Sequence, residues 1–290
     1  IKHIKFKFSK YYNLKFFFIS DEISNTRNEI IKNINKLIHK NKIDKVFFDI
    51  DYTSLIEANF VSKIKTKTKI AFSFDTEENI KKVERIIFSF THFLTTEPKL
   101  IKKFENKIKS LFFPLETSEL LYRKIKSKKK FDILFFGESK GDRVDYLKQI
   151  NKLKVNKKIL INKQKKINDS KLNSLINQSK IVINFSKGIK KKSSIQYDQF
   201  KGRILMSGLA GTFCLSENYK SSEIIFKKKF PGFENKKNMI NKINELLNNK
   251  KKLKQITKTF VNSCKKYSDK IYIKFICKFL EKKSKPKKID

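Results

Sequence analysis

The feature that most limits the fold is a recurrence of short, unbroken apolar runs that end on polar residues. Leu14–Ile19, Lys45–Ile50, Lys69–Phe74, Phe93–Thr96 and Leu111–Phe113 occupy the first half of the chain. Phe131–Phe136, Lys158–Ile161, Ile181–Phe185 and Thr212–Leu215 occupy the second. Each has strand length and lacks the in–out alternation of a half-exposed strand, so each predicts a strand buried on both faces. Helical periodicity fills the gaps. Strand, helix, strand in alternation predicts an α/β fold with parallel sheets covered on both sides. At 290 residues there is room for two such domains of roughly 100–200 residues each. Residues 1–120 and 121–267 are the expected domains, with a last helix and basic tail over 268–290.

Local signals place the helices. After Leu14–Ile19 the pair Ser20-Asp21 can cap a helix running to about Asn41, with Ile23, Ile30, Ile31, Ile34, Leu37 and Ile38 as its buried stripe. A helix is expected from about Ser54 to Ile64. Another starts at Glu97-Pro98, where proline suits the first turn. Val144, Leu147 and Ile150 mark a helix behind the Phe131 strand, and Leu172–Gln178 marks the next. Lys237–Leu247 and two further helices carry the chain to about Leu280. Glu116–Lys130, rich in lysine, reads as the connection between domains.

The most informative segment is Gln199–Glu217, QFKGRILMSGLAGTFCLSE. Phe200, Ile204, Leu205, Gly208 and Leu209 share one helical face. Gly211 ends the helix. Thr212–Leu215 is a short strand, and Ser216 and Glu217 close it. In open α/β sheets ligands bind at the carboxyl ends of strands, so this unit points its polar end at a candidate site.

The net charge of +41 ordinarily suggests a nucleic acid or an anionic membrane. Only five of the 69 basic residues are arginine, however: Arg27, Arg85, Arg123, Arg143 and Arg203. Arginine is the residue favoured for bidentate reading of phosphates and bases. Abundant Lys, Ile, Asn and Phe beside scarce Gly, Pro and Arg resemble AT-rich codon usage. Most of the charge is therefore read as solvated lysine, with attraction to membrane or phosphate as a secondary use. Cys214, Cys264 and Cys277 are odd in number and lack C-x-x-C spacing, which favours reduced thiols over disulfides or zinc. No apolar run approaches the roughly 18 residues that span a bilayer. Phe16–Ile19 has no signal-peptide surroundings. The chain begins at Ile1, so a preceding segment is left open.

Several side chains are placed for chemistry. Gly137–Arg143 (GESKGDR) is a glycine-containing loop between a strand and a helix. Its amides and helix N-terminus suit phosphate, and Ser139, Lys140 and Arg143 add donors and charge. The alternative is an ordinary βα loop. Lys201 and Arg203 stand at a helix head, where cations oppose the dipole unless an anion sits there; the alternative is a pair of surface cations. Glu217 can accept hydrogen bonds from sugar or ribose hydroxyls, or serve as a loop acid. Asp75, with Asp49 and Asp51 behind it, is a candidate general base, or a turn former. His3, His39 and His92 are isolated, although His92 lies near the start of a strand. No metal site is expected.

Lys201–Glu217 (KGRILMSGLAGTFCLSE) resembles the CgeB-like, spore-maturation-type glycosyltransferases, a group of GT-B enzymes. KVFFDID, KIAFSFDTEEN, THFLTTEP and LFFPLE in the first half follow that family's strand pattern. FDILFFGESKGDRVDYL, SKIVINFS and FPGFENKKNMINKINELL do so in the second, and the likeness runs from about residue 14 to 280. It implies two Rossmann-like domains facing each other across a cleft. The first would bind the acceptor and the second a nucleotide-sugar donor, with the last helix crossing back to the first. It implies no metal and no cofactor other than the nucleotide-diphosphate sugar as donor substrate. Donor contacts fall on Gly137, Ser139, Lys140 and Arg143, and on Asp198, Lys201, Arg203, Gly211, Ser216 and Glu217. Arg203 and Asp75 would be catalytic. In a Glu-x7-Glu motif of related enzymes the second acid binds ribose; here that position is Met206, and Asp198 stands where the first acid falls. Either Glu217 takes the role, or donor binding differs, or activity is lost.

The expected function is transfer of a sugar from a nucleotide-diphosphate sugar to an acceptor hydroxyl in cell-surface glycan synthesis. The acceptor would be a glycan, a lipid-linked molecule or a protein, and nucleic acid is not an expected partner. The expected location is cytoplasmic, with peripheral contact to an anionic membrane at its inner face. Two alternatives stay open. One is a non-catalytic nucleotide-sugar or glycan binder on the same fold. The other is a basic nucleic-acid or membrane-surface binder.

Overall fold

A computed structural model describes residues 8–9, 11–19, 25–51, 56–76, 79–115, 117–161, 167–189, 196–227, 230 and 232–281. His3, Ser20-Asp21, Ile23, Ser54, Glu116, Lys190–Ser194 and the residues beyond Glu281 lie outside them. The chain forms two compact units, one of Phe8–Phe113 with the chain from Phe275 on, the other containing Pro114–Lys274.

The first unit holds a four-stranded parallel sheet of β1 (Lys45–Asp49), β2 (Thr68–Ser73), β3 (His92–Thr95) and β4 (Lys109–Phe112) in sequential order. Pairing is in parallel register throughout, for example Phe47 with Ile70 and Leu94 with Leu111. The strands are apolar because helices cover them. α1 (Arg27–Asn41) lays Ile30, Ile31, Ile34 and Ile38 into the core, where they join Phe48, Ile50, Phe60 and Phe93. Thr26 caps this helix: its hydroxyl accepts from Glu29 N, and the Glu29 carboxylate accepts from Thr26 N at 2.6 Å. α2 (Ala58–Ser62) and α3 (Ile80–Ile86) complete this layer. Pro98 opens a 3₁₀ turn that runs into α4 (Ile101–Phe104), which makes the expected long helix after Glu97 two short pieces.

The strand expected at Leu14–Ile19 does not form. Phe16 and Phe18 are 40% and 43% exposed, while Phe17 and Ile19 pack partway onto the core. Among the described residues β1 is the edge strand of its sheet, and Leu14–Ile19 does not pair with it.

The second unit holds a parallel sheet in the order β10-β7-β5-β6. Its strands are β5 (Phe131–Gly137), β6 (Lys157–Ile161), β7 (Ser179–Asn184) and β10 (Phe213–Ser216). The chain leaves β5 toward β6, then returns across β5 to β7, so the order reverses between β5 and β7. Its helices are α5 (Arg143–Lys152), α6 (Asp169–Asn177), α7 (Arg203–Leu209), α8 (Lys220–Phe226), α9 (Lys236–Asn248) and α10 (Lys250–Lys265). α11 (Asp269–Glu281) follows. A short hairpin of β8 (Lys187–Ile189) and β9 (Gln196–Asp198) was not expected from the sequence.

α7 is buried from Ile204 to Leu209, not amphipathic, and Phe200 precedes it. It ends in a Schellman motif. Gly211 N donates to Gly208 O at 3.0 Å, Thr212 N donates to Ser207 O at 2.9 Å, and Gly211 sits at φ +80°. Gly208 lets α10 approach: a Cβ there would run into Cys264 and lie 3.4 Å from Phe260 Cε1. The lysine-rich segment before β5 is fastened to α6. Asn173 Oδ1 accepts from Arg123 N at 3.1 Å, and Asn177 Oδ1 accepts from Ile125 N at 2.9 Å.

Candidate functional site

The reversal between β5 and β7 is the place where an open α/β sheet leaves a crevice at its carboxyl edge. Three loops meet there. β5 ends at Gly137, whose φ of +140° is open to glycine but strained for any other residue. The loop then runs through Ser139 and Lys140 to α5. The chain after β7 supplies Phe185, Ser186 and Lys187, and the chain after β10 supplies Glu217. Lys140, Asp142, Arg143, Tyr146, Phe185, Lys187 and Glu217 line a shallow pocket that is open to solvent.

Beneath it lies an aromatic floor. Tyr146 and Phe185 have ring centroids 5.2 Å apart, Phe185 and Phe135 5.4 Å, and Tyr146 and Phe233 5.8 Å. Burial raises the Tyr146 phenol above its ordinary pKa. The rim is polar and tightly bonded. Glu217 is 6% exposed, and its Oε2 accepts from Ser186 N at 2.8 Å and from Lys187 N at 3.3 Å. The buried Asn184 Nδ2 donates to Ser216 Oγ at 2.7 Å. Arg143 donates from Nη1 to Glu138 O at 3.3 Å and from Nη2 to Lys187 O, which ties the first loop to the second. Lys140 pairs with Glu138 at 2.9 Å on the exposed side.

Arg203 reaches the same loop from the head of α7. Its Cζ lies 5.4 Å from the Phe135 ring centroid and 5.5 Å from that of Phe136. A Cβ built on Gly137 would run into the guanidinium, 3.1 Å from Cζ. Gly137 is therefore glycine for two reasons at once, its backbone angle and the cation packed against it. The arrangement offers a cationic, amide-rich edge at a strand end, which is suited to a polyanionic group such as a diphosphate.

A family model described as glycosyl transferase-like matches residues 116–267, just over half of the chain. The chain belongs to this glycosyl transferase-like family. No curated protein sequence matches it. Among solved structures, the sucrose-phosphate synthase of Thermosynechococcus elongatus is similar with a TM-score of 0.57 at 8% identity, over 89% of this chain and 78% of that one. An alpha-glucosyltransferase in complex with UDP and a 13-mer DNA containing an HMU base gives 0.53 at 12% identity, over 89% and 84%. At these identities the likeness shows the fold, which is that of GT-B glycosyltransferases.

In this glycosyl transferase-like chain, Gly137, Ser139, Lys140, Arg143, Arg203, Ser216 and Glu217 all lie at the carboxyl edge of the second unit's sheet. Ser216 is fully buried inside the Asn184–Ser186 network and is not on the pocket lining. Lys201 is half-buried and donates to the Gln199 side chain. Asp198 is exposed at the end of β9, paired across the hairpin with Lys187. Gly211 does not join the group: it caps the far end of α7 and precedes the amino end of β10, where Lys124 covers it. Its positive φ serves the helix cap, which corrects the expectation of a donor contact. Met206 is 7% exposed inside α7.

Asp75 lies in the first unit, just past β2. Its amide donates at 3.0 Å to Asp51, which also accepts from Ser73 Oγ at 2.6 Å and from Phe74 N and Asn79 Nδ2. Asp51 is thus the organiser of this loop, and burial raises its pKa despite those donors. The sheet order does not reverse at β2, so the crevice rule that selects the second unit gives Asp75 no such support. His92 is buried at the amino end of β3, with its ring 5.3 Å from Phe279. Sequence reading missed Tyr146, Phe185, Asn184 and Lys187. Asn184, a polar residue closing an apolar strand, was the signal available for that rim.

Proposed function

We propose that the protein transfers a sugar from a nucleotide-diphosphate sugar to an acceptor hydroxyl, with the donor held at the β5–β7 edge of the second unit. The observation that carries this is Arg203 packed against Gly137, which brings the rarest cation of the chain onto the loop best suited to phosphate. Lys140, Arg143 and Lys201 add positive charge nearby. Their task would be to stabilise the charge that develops on the diphosphate leaving group, an electrostatic contribution that a metal ion need not supply. Glu217, held rigid by Ser186 and Lys187, would orient a ribose or sugar hydroxyl. Asp75 is the acid of the first unit offered as base. A CgeB-like role in cell-surface glycan synthesis, acting in the cytoplasm on a glycan, lipid-linked or protein acceptor, fits this chemistry.

Calorimetric titration with UDP, GDP, ADP and CMP tests the donor site, with UDP first because a structural neighbour carries it. Arg203→Ala should lower nucleoside-diphosphate affinity at least tenfold, in line with loss of a charge-assisted contact. Wild-type affinity in that variant rejects the assignment. A second reading, a nucleotide-sugar binder without turnover, is favoured by the buried Met206 where a ribose-binding acid was expected. Tight binding with no release of free nucleotide from any sugar donor would select it.

A further inference from the structure

Tyr146 carries a hydroxyl that its packing does not explain. α5 starts at Arg143, which ties the glycine loop to Lys187, and Tyr146 follows one turn later on the same face. Its ring is already in use: Phe185 and Phe233 pack on it, and Leu147 and Ile150 are buried beside it on the helix. A phenylalanine would fill that place as well, and phenylalanine outnumbers tyrosine 28 to 9 in this chain. Tyr146 is only 8% exposed, yet it lines the pocket, and among the described residues none shares a hydrogen bond with its hydroxyl. Burial raises the phenol above its ordinary pKa, and the carboxylates of Glu217 and Asp142 nearby add to the shift, so the group is an O–H donor at neutral pH. Glu217 is its complement. Oε2 accepts from two amides, which leaves Oε1 for a further donor. The two side chains are close enough for their charges to interact, but no hydrogen bond joins them.

We infer that Tyr146 is a specificity-determining residue of the donor site, where its O–H donates to one hydroxyl of a vicinal diol while Glu217 Oε1 accepts from the other. The assignment rests on the donor site proposed above and adds the ligand chemistry to it. A hydroxyl can give or take a hydrogen bond, so a phenol beside a carboxylate suits two neighbouring hydroxyls. Nucleotide sugars hold such a diol in the ribose and in many hexoses. Burial gives the pair its selectivity. Both side chains are more than nine-tenths buried, so an analogue that lacks one hydroxyl leaves a polar group unmatched where water replaces it poorly. Lys140 and Lys187 are exposed at the rim; as donors without an acceptor they suit phosphate and supply no comparable selection.

The test is calorimetric titration of the wild type and Tyr146→Phe with UDP, GDP and ADP, with the 2′-deoxy and 3′-deoxy form of each, and with UDP-, GDP- and ADP-glucose. For the nucleotide that binds, Tyr146→Phe should lose affinity for the diol-bearing ligand about three- to tenfold. If the diol is the ribose, one deoxy form should bind the wild type weaker than its parent by about that factor and bind Tyr146→Phe as well as its parent does. If the diol is in the sugar, the deoxy ratios stay unchanged and the affinity gained from the glucose shrinks by the same factor. Tyr146→Phe keeps the ring and breaks no bond within the protein, so its urea midpoint without ligand should not fall; a merely structural hydroxyl would lower the midpoint and leave every ratio alone. If neither ratio changes, the assignment of Tyr146 is overturned while the donor site stands. If the wild type binds none of the three nucleotides, the donor site is rejected and Tyr146 with it.

Discussion

Replacing Gly137 by alanine should damage this protein through two separable routes. The first is backbone: φ of +140° is strained for an L side chain and should cost about 1–3 kcal/mol. The second is steric, since the new methyl would occupy the position of the Arg203 guanidinium, whose Cζ is 3.1 Å away. Moving that group gives up its stacking over Phe135 and Phe136, worth about 0.5–1 kcal/mol for each ring at partly exposed sites. Gly137→Ala alone should therefore lose about 2–5 kcal/mol in urea unfolding. In an Arg203→Ala background the obstacle is gone, and the same substitution should cost only the backbone share. The two changes should be coupled by about 1–2 kcal/mol, within the range for residues in contact. Calorimetry on the folded single mutant should show nucleoside-diphosphate affinity falling with the displaced guanidinium. Strict additivity in the double-mutant cycle would refute the claim that Arg203 packs on Gly137, and with it the geometry on which the donor site rests.

Three further outcomes can be measured on the same protein. Glu217→Ala leaves the Ser186 and Lys187 amides without their acceptor and should cost about 2–4 kcal/mol by urea midpoint; both amides donate to one oxygen, so Glu217→Gln keeps that acceptor and should leave the midpoint near wild type. Gly208→Ala places a methyl against Cys264 and Phe260, so overpacking of about 1–3 kcal/mol should outweigh the gain of about 1 kcal/mol in helix propensity and lower the melting temperature. Cys214 and Cys264 are fully buried, with thiols raised by that burial, Cys214 to about 12. Both should resist a disulfide reagent at about pH 8, where almost no thiolate is present, and react fully in denaturant.

Most strands were legible because a strand buried on both faces is a continuous apolar run, and the helices around them supply the burial that the run anticipates. Leu14–Ile19 shows the limit of that signal. It is as rich in apolar residues as β1, but a strand also needs a neighbour, and pairing is a property of the sheet, not of the segment. The helix at 199–209 was misread for the opposite reason. Periodicity suggested one apolar face, whereas α7 lies between other elements and is buried on every side, down to Ser207. The site followed the same division. Gly137, Arg143, Arg203 and Glu217 could be found because loop glycines, scarce arginines and strand-end acids stand out from a lysine-rich background. Tyr146 and Phe185 could not, because an aromatic under a pocket reads like any other core residue. Gly211 was assigned to the ligand because a positive-φ glycine serves a phosphate loop and a helix cap equally well, and only the two Schellman hydrogen bonds tell them apart.

Met206, at the position where the resemblance would place a ribose-binding acid, lies inside a helix that is buried from Ile204 to Leu209. At 7% exposure on a helix whose neighbours are all buried, an ionised side chain would be tolerated only with a ligand hydroxyl or a cation to meet it. Methionine has no such requirement, and the empty protein carries no desolvated charge at this position. What remains at the pocket is Glu217, already fixed by two backbone donors and set in the lining. A carboxylate held in this way needs little reordering when a hydroxyl arrives, which is the condition for an effective acceptor. The same bonds make Glu217 part of the scaffold, so loss of binding in Glu217→Ala cannot by itself separate recognition from architecture. Glu217→Gln can, because it keeps an acceptor for the loop amides while removing the charge. If donor affinity falls in the glutamine variant while its unfolding midpoint stays near wild type, the carboxylate acts on the ligand. If both fall together, Glu217 is structural, and the chain holds its donor by the cations of Arg203, Arg143 and Lys140 alone.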